Sequence, residues 1–479
     1  MNALAAGTDP ALTARDIRSV AIDSREVEAG GVCFALAQPD YANNGFNGEF
    51  EDATQFVPTA FGNGAAVCVV REDRFEAHRG ELADFRSKLI FVDDTIASLQ
   101  ALARGVYQEW NRPIVAITGS AGKTTAKELT AHVLSSSGRK ILRNIKNYNN
   151  GLGHPLTVLN LLKDVSYDAA VLEMGMSTPM NEIARLCRIT PPDVAVVLNV
   201  LPVHVEHLGS IENVAKAKAE IVEGMKDGGT AVLNADDPRV LAMSELSHGD
   251  VITYGIDKEA DVRAADIEVK GLGGASFTLT VQGGSARVEF PLNGRHNILN
   301  ALAAAAVGVT FSMDIDLLAS SLSSVAAPPQ RGEVLKFAAG FTVINDSYNS
   351  NPDALLSMVR TLVEGSRDAI RTIVVAGEML ELGPDAAKLH RETGRAIAKA
   401  GVDHLIAVRG LGQELVEGAL EAGIANAEFA ADSDAAAEML VGSVKKGDAV
   451  LVKGSRGVRT EKVIEKLLEN FEREESVPA

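Results

Sequence analysis

The sequence predicts an α/β protein built from three domains, and three observations support this prediction. The chain has 479 residues, which at roughly 100–200 residues per domain corresponds to about three domains. Continuous apolar runs alternate with longer helix-like segments, as in parallel sheets that are covered by helices on both faces. Two segments that contain proline, 111–113 and 326–329, divide the chain at the points where this alternation begins and resumes.

Residues 1–110 are expected to form a small α/β domain. Short β-like runs at 32–36, 65–70 and 89–92 are separated by clusters of Gly, Asn and Asp, which are typical of turns. The segment Asn111-Arg112-Pro113 then ends this part of the chain, because proline restricts its own backbone and that of its predecessor.

Residues 111–328 are expected to form a central domain with a mostly parallel sheet. Its predicted strands are 114–118, 169–173, 194–200 and 230–233, and its predicted helices are 123–135, 180–187, 211–225 and 297–307. Residues 264–291 alternate between short strands and glycine turns, which indicates an antiparallel insertion or sheet edge. Residues 329–479 resume the β/α alternation, with predicted strands at 341–345, 372–376, 404–408 and 449–452, so the third domain is expected to be Rossmann-like.

The composition excludes some classes of function. The formal net charge is −18 and aromatic residues make up 5% of the chain, so a basic face or stacking platform for nucleic acid is not expected. The cysteines Cys33, Cys68 and Cys187 lack CxxC spacing, which favours buried, reduced thiols over a disulfide or zinc site. The first ten residues lack the order of a signal peptide, and no apolar stretch reaches about 18 residues. We therefore expect a cytoplasmic protein without an integral membrane segment.

The strongest motif follows the predicted strand 114–118 and reads Gly119-Ser120-Ala121-Gly122-Lys123-Thr124-Thr125. It fits GxxGK[ST], the shorter form of the phosphate-loop pattern, because position 117 is Ile117 and not glycine. A glycine turn between a strand and a helix directs backbone N–H groups and the positive end of the helix toward an anion. We expect Lys123 to reach the outer phosphates of a nucleotide and the Thr124 hydroxyl to bind Mg²⁺.

Further candidate metal ligands follow neighbouring strands. Glu173 ends the predicted strand 169–173, and His204 and Glu206 follow the strand 194–200. Ligands of open α/β sheets lie at the carboxyl edge of the strands, and a carboxylate there can hold Mg²⁺. Lys216 and Lys218 lie on the next helix-like segment, where exposed lysines along a helix are the ordinary explanation.

The order of the motifs along the chain resembles that of the Mur ligases. The matching segments are DSREVEAGGVCFAL, TGSAGKTT, LEMGM, NVLPVHVEHLGS, AKAKAEI, GRHNILNALAA, PQRGE, NDSYNSNP, GEMLELG and LVKGSRG. The resemblance implies an N-terminal UDP-binding domain, a central ATP-binding domain and a C-terminal domain that closes over both. It also implies that ATP phosphorylates a carboxylate of a nucleotide-peptide and that an amine attacks the acyl phosphate. NDSYNSNP and GEMLELG are most similar to the members that join D-alanyl-D-alanine to UDP-N-acetylmuramoyl-tripeptide, so these two substrates are expected.

The resemblance also implies roles for individual residues. Phosphates and a first Mg²⁺ are expected at Lys123 and Thr124 of the phosphate loop, with Glu173 and His204 as further metal ligands. Lys218 in KAKAEI is expected to be carbamylated and to hold a second Mg²⁺, since carbamylation turns a cation into an anionic oxygen ligand. The remaining expected contacts are Asn297, Arg331, Asp346, Tyr348 and Asn349 at ATP, Ser24 and Arg25 at the uridine nucleotide, and Asn149 and Asn150 at the nucleotide-peptide.

Three positions differ from the pattern of the family. Gly151 stands where the family usually has Glu, the segment Asn44-Gly45-Phe46 differs from the usual DGHxF, and Ser350 replaces the more usual Ala. The alternatives are another amide ligase of the same superfamily, which adds the third peptide residue or is of the folylpolyglutamate type, and a P-loop switch or transport ATPase. The latter would leave DSR and NYNN without a function. We expect a monomer.

Overall fold

The computed structural model describes residues 17–46, 50, 52–145, 148–176, 181–201, 208–326 and 329–474. They form three sheets, and each sheet is built from one continuous part of the chain. These parts follow the order in which the three domains are predicted. The predicted α/β class is confirmed, whereas the domain boundaries at 110 and 328 stay predictions.

The N-terminal sheet is parallel, with strand order β1-β2-β3-β4. Its strands are β1 (Val20–Ala21), β2 (Val32–Phe34), β3 (Val67–Arg71) and β4 (Leu89–Val92). The helices of this part are α1 (Gln38–Asn43), α2 (Val57–Gly62), α3 (Glu72–Ala77), α4 (Arg79–Leu82) and α5 (Thr95–Trp110).

Helix α5 joins the N-terminal sheet to the central domain. It begins where the Asp94 carboxylate accepts hydrogen bonds from the backbone N–H groups of Ile96 and Ala97, as an N-cap residue does. Its apolar face follows the 3–4 residue spacing of a helix, and Ile96 and Leu99 are fully buried. The helix belongs to one continuous core that includes strands of both sheets. It ends at Asn111, which adopts the left-handed conformation (φ 46°) that Asn tolerates.

The central sheet has nine strands in the order β13-β12-β11-β10-β9-β8-β5-β7-β6. They are β5 (Ile114–Thr118), β6 (Ile141–Arg143), β7 (Ala169–Glu173), β8 (Val194–Val197), β9 (Thr230–Asn234), β10 (Asp250–Gly255), β11 (Val262–Val269), β12 (Ala275–Val281) and β13 (Gly284–Phe290). The helices are α6 (Lys123–Ser136), α7 (Gly153–Leu159), α8 (Glu182–Ile189), α9 (Ile211–Glu223), α10 (Pro238–Leu241), α11 (Arg295–Thr310) and α12 (Ile315–Ser323). The pairing is parallel except for β11-β12-β13, so the antiparallel edge predicted at 264–291 is confirmed. Because β5 and β7 are parallel neighbours, their carboxyl ends meet at one edge of the sheet.

The C-terminal sheet has the order β14-β15-β19-β16-β17-β18 and is parallel except for β14. Its strands are β14 (Glu333–Lys336), β15 (Thr342–Asp346), β16 (Arg371–Gly377), β17 (His404–Val408), β18 (Asn426–Ala430) and β19 (Asp448–Lys453). Its helices are α13 (Pro352–Gly365), α14 (Ala386–Lys399), α15 (Gly412–Glu421), α16 (Ser433–Ser443) and α17 (Glu461–Asn470). Apolar cores lie on both faces of this sheet, as the Rossmann-like prediction requires.

Most predicted elements match the structure to within a few residues. The strand predicted at 194–200 ends at Val197, and the helix predicted to start at Asn297 begins at Arg295 after Gly294. The three cysteines are free and buried, as expected. Within the described ranges, no helix is both long and apolar enough to cross a bilayer.

Candidate functional site

A cavity of about 610 Å³ lies between the phosphate loop and the carboxyl ends of strands β15 and β19 in the C-terminal sheet. A volume of this size is within the range of small-molecule sites. Its lining contains all but one of the residues predicted to contact ATP, namely Ser120, Ala121, Gly122, Lys123, Thr124, Thr125, Asn297, Arg331, Asp346, Tyr348 and Asn349. Glu173 and Asn149 also line it.

The phosphate loop turns tightly from β5 into α6, and two glycines make this turn possible. Gly122 precedes the helix with φ 84°, and a Cβ there would lie 2.7 Å from the side-chain oxygen of Asn300. At Gly119 a Cβ would approach the Leu198 side chain to 2.9 Å. Gly122 requires the conformational freedom of glycine because its φ is positive, whereas Gly119 requires the small size of glycine because of the close Leu198 side chain.

Asn199, which follows β8, holds the loop from the side. Its Oδ1 accepts from the Ala121 N–H at 2.9 Å and its Nδ2 donates to the Ala121 carbonyl at 3.1 Å. The Ser120 N–H donates to the Asn199 carbonyl at 3.1 Å. The loop is therefore preorganised by hydrogen bonds that do not depend on a ligand.

The Lys123 side chain folds back over the loop, and its Nζ donates to the Gly119 carbonyl at 2.8 Å. Burial lowers the pKa of Lys123, and the charge of Arg331 acts in the same direction, whereas Glu173 raises it. The lysine therefore lies partly buried at the cavity wall with another cation nearby, where an anionic ligand would stabilise its charge.

Glu173 is the centre of a hydrogen-bond network at the ends of β7 and β5. The carboxylate is 3% exposed; its Oε2 accepts from the Thr124 hydroxyl at 2.7 Å, and its Oε1 accepts from the Asn149 amide at 2.7 Å. Both donors are neutral, so these hydrogen bonds do not neutralise the carboxylate, and Lys123 interacts with its charge without forming an ion pair among the described residues. A buried carboxylate next to a threonine hydroxyl is a donor set that suits a hard divalent cation.

Lys218 lies on α9 and is 2% exposed. Its Nζ makes no hydrogen bond or ion pair with any other residue that the structure describes. Burial lowers the pKa of Lys218 well below its ordinary value, and the charge of Lys123 adds to this effect. This is the environment of a neutral, reactive amine, and the interpretation of Lys218 as an ordinary exposed lysine is therefore wrong.

His204 and Glu206 lie outside the described residues. Within the described part of the chain, no group of three His, Cys, Asp or Glu side chains is arranged to hold a metal ion. The predicted metal ligands that can be located are therefore Thr124, Glu173 and Lys218.

The C-terminal domain contributes an arginine and an ion pair to the cavity. The Arg331 guanidinium stacks on the Tyr348 ring, 3.9 Å from its centroid, and it forms no ion pair with another described residue. Lys453 donates to the Asp346 carboxylate and, at 2.9 Å, to the Asn349 carbonyl. This part of the cavity wall therefore contains Arg331, which has no counter-ion among the described residues, and the ion pair of Lys453 with Asp346.

Three predicted substrate contacts lie away from the cavity lining. Ser24 and Arg25 lie on a short turn after β1, and Arg25 is paired with Asp23, whose pKa it lowers to about 2. The Arg25 side chain is 84% exposed and is therefore accessible to a ligand. Asn150 lies just before α7, and its Oδ1 accepts from the N–H groups of Leu152 at 3.2 Å and Gly153 at 2.9 Å.

Sequence reasoning missed three residues that shape the site, namely Asn144, Asn199 and Lys453. Asn144 is 2% exposed; it accepts from the Glu173 N–H at 2.7 Å and donates to the Tyr148 carbonyl at 2.7 Å. Only Lys453 directly follows a predicted strand, a signal too common to select it without a structure. Asn199 lies inside the predicted strand 194–200, and no strand was predicted before Asn144.

Comparison with known families and structures agrees with this geometry. Residues 117–308 match the Mur ligase middle domain, and residues 330–456 match the Mur ligase, glutamate ligase domain. The UDP-N-acetylmuramoyl-tripeptide–D-alanyl-D-alanine ligase of Bacillus subtilis is 33% identical over 461 residues, which are 95% of this chain and 94% of the relative.

Two solved structures of similar proteins have the same overall fold. MurF from Acinetobacter baumannii superposes with a TM-score of 0.81 at 27% identity and covers 95% of this chain and 94% of its own. The MurF ligase of Thermotoga maritima in complex with ADP has a TM-score of 0.80 at 27% identity, over 97% of this chain and 99% of its own.

The fold and the phosphate loop define a P-loop enzyme of the α/β class. The chain belongs to the Mur ligase family, among the UDP-N-acetylmuramoyl-tripeptide–D-alanyl-D-alanine ligases. It is therefore a ligase, and the resemblance seen in its motifs is confirmed.

Proposed function

We propose that this chain uses ATP to join D-alanyl-D-alanine to UDP-N-acetylmuramoyl-tripeptide, a step of peptidoglycan precursor synthesis. The observation that carries the proposal is the cavity that combines the phosphate loop, the buried Glu173 network and Arg331. The similar ligase of Thermotoga maritima, whose structure contains ADP, supports ATP as the nucleotide.

In this proposal ATP lies across the two domains that form the cavity. The phosphate loop and Lys123 bind the phosphates, while Asn297, Asp346, Tyr348 and Asn349 contact the nucleoside end. Arg331 belongs to the start of the C-terminal domain, so it can reach the outer phosphate only in a defined domain arrangement. Its present partner is the Tyr348 ring, which leaves the guanidinium N–H groups available for phosphate oxygens.

Thr124, Glu173 and His204 would hold one Mg²⁺, and a carbamylated Lys218 would hold a second. The buried Glu173 carboxylate, whose hydrogen-bond donors are neutral, and the buried Lys218 amine fit these roles. When bound, Mg²⁺ supplies positive charge to the transferring phosphoryl group. Asn149 and Asn144 keep Glu173 in place, one at its carboxylate and one at its backbone.

The reaction has two steps. A carboxylate oxygen of the tripeptide attacks the γ-phosphorus of ATP, which gives an acyl phosphate and ADP. The amine nitrogen of the dipeptide then bonds to the carbonyl carbon, the bond from that carbon to the phosphate oxygen breaks, and phosphate leaves with the electron pair. The proton of the amine passes to water. Lys123 and Arg331 act by charge and alignment, because phosphoryl transfer needs positioning more than a protein nucleophile.

The UDP end of the substrate is assigned to Ser24 and Arg25, and the peptide to Asn149 and Asn150. The exposed Arg25 side chain can pair with a diphosphate, which would compete with Asp23 for it. We propose that the reaction takes place in the cytoplasm, where ATP is available. We also propose that the protein acts as a monomer.

Purified protein with ATP and Mg²⁺ tests this function. Phosphate release that requires both UDP-N-acetylmuramoyl-tripeptide and D-alanyl-D-alanine supports it, with the ligated product identified by mass spectrometry. Release driven by lysine or diaminopimelate on the shorter nucleotide-peptide, or by glutamate on a folate, would assign the chain to another branch. Turnover without any amine acceptor would indicate a P-loop switch or transport ATPase.

A further inference from the structure

Residues 148–152, between β6 and α7, contact both the central sheet and the N-terminal part of the chain. We call them the asparagine segment, because they include Asn149 and Asn150. On the side of the central sheet, the Asn149 amide donates to the Glu173 carboxylate at 2.7 Å, and the Asn149 carbonyl accepts from the Gly175 N–H at 2.8 Å. This side faces the cavity of the candidate site, which we call the nucleotide cavity.

On its other side the asparagine segment is held by the N-terminal part of the chain. Gln100 on α5 donates from Nε2 to the Gly151 carbonyl at 2.9 Å. Gly151 is buried and Gln100 is half-buried. A buried carbonyl needs a hydrogen-bond donor, and Gln100 supplies one from a helix 51 residues earlier in the sequence. The position of the segment is therefore fixed in part from outside the central sheet.

Gly151 has no room for a side chain, because Gln100 and Phe46 occupy the space where one would lie. A Cβ at this position would be 3.1 Å from Nε2 of Gln100 and 3.2 Å from Cζ of Phe46. The Phe46 ring is itself held by stacking on Tyr41, with 4.8 Å between the ring centroids. Two of the places where the sequence differs from the family pattern, Gly151 and the segment 44–46, therefore face each other in the structure.

A chain of contacts thus leads from Gln100 to the proposed metal site. The Gln100 amide holds the Gly151 carbonyl. Two residues earlier, Asn149 donates to the Glu173 carboxylate. Asn150 stiffens the link between them, because its Oδ1 accepts from two backbone N–H groups next to the start of α7. The hydrogen bonds that orient a carboxylate affect how well it holds a metal ion, so a displaced segment would weaken the site.

We propose that Gln100 is a positioning residue, which acts through the asparagine segment and keeps Asn149 directed at Glu173. This assignment rests on the proposed function, in which Glu173 holds Mg²⁺. Neither Gln100 nor Phe46 lines the nucleotide cavity, so an effect of Gln100 on Mg²⁺ is transmitted by the segment and does not arise from contact with the nucleotide. The N-terminal part, to which the UDP end of the substrate is assigned, is in this way coupled to the site of phosphoryl transfer.

The first test measures the Mg²⁺ concentration that gives half of the thermal stabilisation by Mg²⁺ in the presence of ADP. Gln100→Met keeps the size of the side chain without a donor, and Gln100→Glu keeps its shape but replaces the donor with an acceptor. We expect this concentration to rise about fivefold in both variants, the factor that corresponds to one lost hydrogen bond. The Mg²⁺ concentration for half-maximal ligation should rise equally, while the KM for D-alanyl-D-alanine changes less than about twofold.

Gln55→Met is the matched control. Gln55 is also half-buried, and its Nε2 also donates to a backbone carbonyl, that of Asp52, at 3.0 Å. This hydrogen bond belongs to a short turn before α2, away from the asparagine segment. The Mg²⁺ dependence of Gln55→Met should equal that of the unmodified protein. A rise as large as that of Gln100→Met would indicate a general loss of stability and would overturn the proposal.

A double variant tests whether Gln100 acts through Asn149. Asn149→Ala alone should raise the half-saturating Mg²⁺ concentration about tenfold or more, because it removes a residue that orients a metal ligand. Adding Gln100→Met to Asn149→Ala should then cause little further change, since the two residues belong to one chain of contacts. Effects that multiply in the double variant would overturn the proposal, as would an unchanged Mg²⁺ requirement in both Gln100 variants.

Hydrogen exchange at the Gly175 N–H gives a readout that depends neither on metal nor on activity. This N–H donates to the Asn149 carbonyl, so Gln100→Met should accelerate its exchange, whereas Gln55→Met should not. Unchanged exchange in Gln100→Met would overturn the proposal. Complete inactivity of the unmodified protein with both substrates would refute the proposed function itself, and the exchange rate would still decide whether Gln100 positions the segment.

Discussion

Lys453 and Asp346 are partners in register at the carboxyl ends of the parallel strands β19 and β15. The Lys453 ammonium donates to the Asp346 carboxylate and to the Asn349 carbonyl. It is 4% exposed. The pair therefore ties the segment after β15, which carries Tyr348 and Asn349, to the neighbouring strand. Through this contact the C-terminal sheet positions one wall of the nucleotide cavity.

Lys453→Met should destabilise the protein and weaken nucleotide binding together. The Asp346 carboxylate is only 15% exposed, and leaving a buried charge without its partner costs about 3 kcal/mol or more. We expect the KM for ATP to rise about tenfold, and titration calorimetry with ADP should show the same change. Lys453→Arg keeps the charge and should retain part of the affinity. Adding Asp346→Asn to Lys453→Met should recover stability but not binding, whereas equal stability of all variants would contradict the structural role of the pair.

Lys123→Ala is expected to abolish activity while the fold stays intact. The lysine contributes a single hydrogen bond to the Gly119 carbonyl, and the loop is held independently by Asn199. Turnover should fall about 100-fold or more, as when a preorganised charge is removed from a transition state. Thermal unfolding should be within a few degrees of that of the unmodified protein. Near-normal turnover would refute the assignment of the phosphate loop.

Glu173→Gln should separate the charge of the carboxylate from its hydrogen bonds. The amide can still accept from Thr124, but it cannot neutralise a cation, so we expect activity to fall about 100-fold or more and Mg²⁺ no longer to raise the thermal stability. Glu220→Gln is the matched control, because Glu220 is also buried and accepts backbone N–H groups at 2.7 and 3.0 Å, outside the cavity. That variant should lose stability but keep its response to Mg²⁺. If Mg²⁺ raised the thermal stability of Glu173→Gln as much as that of the unmodified protein, Glu173 would be excluded as a metal ligand.

The strands that surround the site could be predicted from the sequence, whereas the contacts that preorganise it could not. β5 and β7 have the predicted bounds because both are continuous apolar runs, and this pattern is what a buried parallel strand requires. The proximity of Thr124 and Glu173 followed from the common edge of those strands. Lys453 and Asp346 are 107 residues apart, and their contact depends on β19 lying between β15 and β16. One sequence does not specify that strand order. The hydrogen bonds of Asn144 and Asn199 depend in the same way on the strand order of the central sheet.

Lys218→Ala should lose activity, and depletion of CO₂ should lower the activity of the unmodified protein. Burial favours the neutral amine of Lys218, which is the form that reacts with CO₂ to give a carbamate. Activity measured in CO₂-free buffer should recover when bicarbonate is added, and the intact protein should show a labile mass increase of about 44 Da that corresponds to one CO₂. Full activity of the unmodified protein after thorough CO₂ removal would exclude carbamylation.

His154 should make the stability of the protein fall as the pH decreases below neutral. Its side chain on α7 is fully buried, with Nε2 2.8 Å from the Thr190 hydroxyl and no hydrogen-bond partner at Nδ1 among the residues that the structure describes. Burial lowers the pKa of His154 to about 3, whereas the unfolded chain has the ordinary value of about 6.5. Between these values the unfolded state binds a proton that the folded state does not, so the free energy of unfolding decreases as the pH falls through this window.

The size of this effect is about 1.4 kcal/mol per pH unit below 6.5, or about 2 kcal/mol between pH 7 and pH 5. Urea unfolding at pH 7, 6 and 5 measures it, and His154→Gln should show a correspondingly weaker pH dependence, because glutamine can keep the contact with Thr190 but does not titrate. The exposed His248 provides the control, since His248→Gln should retain the pH dependence of the unmodified protein. If His154→Gln and the unmodified protein lost stability equally between pH 7 and pH 5, His154 would not be the buried neutral histidine that the structure shows.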